Sequence, residues 1–198
     1  MIKEKYFQEI QGFLSVGYIY LIVMGILNET LYYNQIGIDI LNYSSILDVL
    51  ISPISRLTSN VSSLIIFIII VFLAFKLPNI LAKNKDKNWF KRLFKKIDSD
   101  LTKEQVKSSL LKSFMFIVSI GLFGFYVGSG IGKGERLLEK IEKEEVEYND
   151  RIKFINGDVS SVEIVGTNSM YLFYLEKDNK SVQITPISGI IKSIEKNE

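Results

Sequence analysis

The sequence predicts a membrane protein with about three transmembrane α-helices and a small C-terminal antiparallel β domain, a meander or a partly open barrel. Three observations carry that prediction. The 47% apolar content is ordinary as an average, but it is gathered into long runs. Segments dense in Lys and Glu separate those runs. Beyond residue 150 the apolar period shortens from that of a helix to that of a strand.

The first apolar run extends from Phe13 to Leu27, with a continuation through Leu31, Tyr32 and Tyr33. A cleaved signal peptide is the competing reading. Glu4 and Glu9 stand beside Lys3 and Lys5, and no small-residue cleavage pattern follows, so a retained span is expected. The second run has its centre in Leu64–Phe75, where no side chain carries a polar atom. At the transfer energies of central Leu, Ile, Phe and Val, this stretch alone favours insertion by roughly 4–7 kcal/mol. Extension from Leu57 to Leu77 supplies the ~20 residues a bilayer requires. The third run covers Leu110 to Ile131 and is interrupted by serines and glycines.

Between the first two spans, residues 34–60 alternate apolar positions with Asp39 and Asp48. Pro53 is expected to stop any helix. The segment reads as one lying on, or dipping into, the outer membrane face, with Asp39 and Asp48 as candidate acids at a pore mouth.

Between the second and third spans, Lys76–Lys112 holds eleven Lys or Arg against four Asp or Glu. The positive-inside rule places this loop in the cytoplasm. The N-terminus is then cytoplasmic and the C-terminal domain extracytoplasmic. Within the loop, Trp89, Phe90, Leu93, Phe94 and Ile97 share one helical face, and Lys91, Arg92, Lys95 and Lys96 occupy the rest. That pattern fits an amphipathic helix on anionic headgroups. Nucleic-acid binding by the same basic and aromatic side chains is the alternative. Thr102 and Gln105 have the spacing of a capping box at the start of the third helix.

In the third span, Gly121, Gly124 and Gly128 form one face, with Gly132 extending the row. Such a face serves close packing within one chain, an interface between chains, or a pore lining. Gly130, Gly132 and Gly134 lack the preceding strand and following Lys-Ser/Thr of a phosphate loop, and are expected to loosen the helix as it leaves the bilayer.

A charged stretch from Glu135 then reads as a helical stalk. Ile152–Ile155, Val159–Val165, Met170–Leu175, Val182–Ile187 and Ile190–Ile194 read as strands, with Asn156-Gly157-Asp158 as a hairpin turn. The expected division is 1–134 for the membrane domain with its basic loop at 76–112, 135–151 for the stalk, and 152–198 for the β domain. So small a domain has a meagre core, and copies of itself are the simplest support.

No catalytic site is expected. The chain has neither Cys nor His, which removes thiolate chemistry and the usual base and metal ligand near neutral pH. A calcium loop beginning at Asp98 fails, because Lys103 and Ser109 stand where Gly and Glu are needed. No cofactor is expected.

Two segments taken together resemble small bacterial membrane effectors of anti-phage defence operons, of the Hailong type. One is Tyr33, Gly37-Ile-Asp39, Tyr43 and Asp48. The other is Ile164-Val-Gly166-Thr-Asn-Ser-Met-Tyr171-Leu-Phe-Tyr174 with the Ile187–Ile194 ending. The resemblance implies a homo-oligomeric, tetrameric ion channel in the bacterial inner membrane, held shut by an oligonucleotide from a partner nucleotidyltransferase. A cytoplasmic oligonucleotide would reach the basic loop but not an external β domain. The functional expectation is thus a channel that depolarises the cell. The alternative is a non-conducting scaffold or sensor that recruits another operon-encoded protein.

Overall fold

A computed structural model describes residues 2–58, 60–94, 101–177 and 179–196. Among these residues the helices are α1 (Ile2–Gln35), α2 (Ile46–Thr58), α3 (Val61–Lys83), α4 (Asn88–Leu93) and α5 (Lys103–Glu142). The strands are β1 (Asp150–Phe154), β2 (Val159–Thr167), β3 (Tyr171–Glu176), β4 (Gln183–Pro186) and β5 (Ile191–Glu195). Three helices are long and apolar enough to cross a membrane, with mean hydropathies of 1.2 in α1, 2.6 in α3 and 1.9 in α5. At most 17% of the residues in their most apolar windows are buried. Ile66, Ile68, Ile69, Phe72 and Phe75 of α3 face outward. A helix apolar on all sides requires lipid or further protein around it.

The chain divides into two compact units, Met1–Pro53 with Tyr126–Glu198, and Ile54–Phe125. In the first, the strands form an antiparallel sheet in the order β4-β3-β2-β1-β5. It is open at β4 and β5 and is not a closed barrel. The first four strands are the expected meander. β5 departs from it, because the turn at Gly189, with φ of 77°, returns the chain to pair with β1. The β1–β2 turn forms at Asn156-Gly157-Asp158, where Gly157 takes φ of 96° and Phe154 N–H donates to Asp158 C=O at 2.9 Å.

Both faces of this sheet are covered. Ile152, Val162, Leu172 and Tyr174 pack on one side with Ile187 and Ile191. Phe173 packs on the other with Tyr33, Ile38 and Ile40. Two covered faces explain why Leu172, Phe173, Tyr174 and Leu175 are consecutively buried, which an alternating half-exposed strand would not show. The β domain therefore does not stand alone. Its support is the end of α1 and residues 36–43 of its own chain.

Two helix ends also depart from expectation. α2 continues through Pro53 to Thr58. The proline ring there lies against Gly25 of α1, where an added Cβ would stand 3.0 Å from its Cδ. The stalk is helical only to Glu142. Glu144 takes a left-handed φ of 57°, and Glu145 N–H donates to Lys140 C=O at 2.9 Å, closing a Schellman turn.

In the second unit, α4 folds against its neighbours. Phe90 is buried with Ala82 of α3 and Val106 and Leu110 of α5. The capping box forms as read: Thr102 N–H donates to Gln105 Oε1 at 2.8 Å, and Gln105 N–H to Thr102 Oγ1 at 3.3 Å.

Candidate functional site

The glycines of α5 fall into two groups. At Gly130 an added Cβ would stand 2.6 Å from Asn28 C=O of α1, and at Gly134 it would stand 2.7 Å from Tyr32 C=O. Two helix backbones therefore meet at this pair, the close approach that small residues four apart permit. Asn28 is fully buried there. Its Nδ2 donates to Tyr126 C=O at 2.5 Å and to Ser129 Oγ at 2.6 Å. Gly130, Gly132 and Gly134 thus lie inside a continuous helix, and the expectation that they loosen it is corrected: Gly130 and Gly134 are packing positions.

Gly121, Gly124 and Gly128 are surrounded differently. A Cβ added at any of them would meet no atom of the described residues within 4 Å. Phe116, Ile117, Ile120, Phe123 and Phe125 are exposed along the same stretch.

Neither candidate mouth acid is disengaged. Asp39 caps the 3-10 turn Ile40–Asn42, accepting from Leu41 N–H at 3.3 Å and from Asn42 Nδ2 at 3.0 Å. Asp48 lies in the first turn of α2 and accepts from Ser45 N–H (2.9 Å) and Ser45 Oγ (2.6 Å). It also accepts from Ser169 N–H (3.0 Å) and Ser169 Oγ (2.9 Å) at the β2–β3 turn. Partial burial alone would raise the Asp48 pKa, but these four donors outweigh it and hold the carboxyl below its ordinary value. Next to it, Asn168 Nδ2 donates to Tyr43 C=O at 3.0 Å. The hairpin tip is therefore clamped to the segment that leads into α2.

Aromatic contacts extend this clamp. Tyr33 and Phe173 have ring centroids 5.0 Å apart, and Tyr43 and Tyr171 lie edge to face at 5.4 Å. Tyr32 Oη donates to Val165 C=O at 3.2 Å. The Tyr33 hydroxyl fills the space a side chain on Gly166 would need. The β2–β3 register shifts between Ile164 and Gly166, at this contact.

On α4, Lys91 and Arg92 are exposed, while Phe90 is turned into the chain. Trp89 and Leu93 face outward. The helix has six residues and ends at Leu93, short of the longer amphipathic helix expected. Lys95, Lys96 and Ile97 lie outside the described residues, as does Asp98. Among the described residues no group of three or more acidic side chains is placed to hold a metal ion.

Sequence reasoning missed four participants. Gly130 and Gly134 have the four-residue spacing that was read only at Gly124 and Gly128. Asn28 stands just past the apolar run Phe13–Leu27, and nothing beside it in sequence points to its partners on α5. Ser169 stands in a turn and gave no sign of its partner. No known protein family, curated protein or solved structure matches this chain.

Proposed function

We propose that the chain is a homo-oligomeric membrane channel whose copies meet along the open glycine face of α5. The observation that carries this reading is the contrast on α5: Gly130 and Gly134 are filled by α1, while a Cβ at Gly121, Gly124 or Gly128 would meet no described atom within 4 Å. An apolar helix with a small-residue face left open is suited to close approach by a second copy. The absence of His and Cys favours conduction over catalysis. The resemblance to anti-phage effectors adds the physiological setting: a bacterial inner membrane, depolarisation of an infected cell, a tetrameric assembly and gating by an oligonucleotide. The basic loop, including Lys91 and Arg92, is the surface that a cytoplasmic anion would reach.

Purified protein in planar bilayers is expected to carry current, and Gly124→Leu to abolish both current and assembly while leaving the fold intact. A monomer with no current under any gating condition would overturn the proposal. The scaffold reading gains from one observation: Asp39 and Asp48 are engaged in local hydrogen bonds, which weakens a carboxylate ring as the basis of cation preference. A stoichiometric partner protein co-purifying with a non-conducting assembly would favour it.

A further inference from the structure

In the second unit, α3 and α5 border an open groove of about 760 Å³. Phe67, Ile68, Val71, Phe72 and Phe75 form its apolar wall, while Lys76 of α3 and Lys107 of α5 supply two cations. The charges share one end. Lys76 follows the apolar residues of α3 in chain order, and Lys107 stands near the start of α5, before Leu111. From Phe67 to Lys76 the helix rises about 14 Å at 1.5 Å per residue, close to one leaflet of a roughly 30 Å hydrocarbon core.

Lys76 is not at the end of its span: Leu77, Pro78, Ile80, Leu81 and Ala82 follow it within the apolar stretch Leu64–Lys83. A cation within a span is costly and calls for an anionic partner. The protein provides none among the residues lining the groove, which include no Asp or Glu. The Lys76 Nζ instead lies 5.6 Å from the centroid of the Phe72 ring.

We infer that this groove is a binding site for one anionic glycerophospholipid, with an acyl chain along Phe67–Phe75 and the headgroup phosphate between Lys76 and Lys107. Charge complementarity selects this occupant. A free phosphate would leave the apolar wall uncovered. A second copy's α3 would bring no anion, since Val61–Lys83 contains no acidic residue. The inference rests on the membrane reading above but not on the oligomer or on conduction.

The test is native mass spectrometry of the full chain, extracted from membranes in mild detergent and supplied with phosphatidylglycerol or phosphatidylcholine of identical acyl chains. Phosphatidylglycerol adducts are expected to exceed phosphatidylcholine adducts by about tenfold, because Lys76 and Lys107 favour the lipid that carries a net negative charge. K76Q/K107Q is expected to abolish that preference. K76R/K107R should keep it, and Lys192→Gln on the β domain should leave it unchanged. Equal retention of the two lipids, or a preference that survives K76Q/K107Q, overturns the site. A groove covered by a second copy would show as a change in oligomer mass with K76Q/K107Q and no lipid preference in the parent chain, which also overturns it. The same spectra report subunit number, so a monomer that retains phosphatidylglycerol refutes the oligomer and leaves the lipid site standing.

Discussion

Two pairs of glycines on one helix, Gly124 with Gly128 and Gly130 with Gly134, share the same spacing and have opposite surroundings. The second pair is pressed against the backbone of α1, and the first faces no described atom. Spacing alone therefore says that a helix can be approached, not by what. What decides is the neighbouring chemistry. Beside Gly130 stands Asn28, a buried amide whose Nδ2 reaches two oxygens of α5, at Tyr126 and Ser129. In an apolar medium such hydrogen bonds fix which helix is the partner.

This contrast can be broken experimentally, beginning with the largest effect. Gly130→Leu must displace backbone, because its Cβ would already clash with Asn28 C=O. A loss of about 3 kcal/mol or more is expected in detergent-titrated unfolding, from overpacking. The matched substitution Gly124→Leu should cost under about 0.5 kcal/mol in the same assay. Equal losses at the two positions would erase the distinction between them.

Asp48→Ala removes the acceptor for Ser45 and Ser169. A local loss of about 1–2 kcal/mol is expected, read as faster amide exchange at Ser169. The sign of its pH dependence follows from the depressed carboxyl pKa. The clamp contributes in full above the unfolded carboxylate value and is lost as pH falls through the lower folded value, so loosening is confined to below about pH 4. A clamp that opened near neutrality would contradict this assignment. Asn28→Leu keeps the branched skeleton but loses both hydrogen bonds, for about 1 kcal/mol. Gly124→Leu has the smallest effect on the fold, and its consequence is read instead in subunit number, which should fall.

Local features were legible in the sequence. The Asn156-Gly157 turn, the Thr102–Gln105 box and the five strand positions depend on neighbours within a few residues, and all appear where expected. The three apolar runs likewise became the three helices long enough to span. What was not legible depends on distant partners. The engagement of Asp48 could not be foreseen, because its donor Ser169 lies 121 residues away. Pro53 was expected to end a helix. A proline ring docked on Gly25 is a packing solution that no pattern near residue 53 announces. The β domain appeared to lack a core because one of its two clusters is built on Tyr33, Ile38 and Ile40. Of the candidate site residues, the glycine row could be located but its partner could not.

The attachment of Ser169 to Asp48 also imposes an arithmetic on biosynthesis. Both residues must be delivered to the same compartment before the bond can close, so the polypeptide between them has to traverse the bilayer an even number of times. α3 and α5 are long and apolar enough to supply two such passages. Were either to fail during insertion, the hairpin would be stranded on the opposite side from its acceptor, and no later rearrangement short of re-threading could unite them. A chain threaded an odd number of times between the two residues could not fasten the clamp.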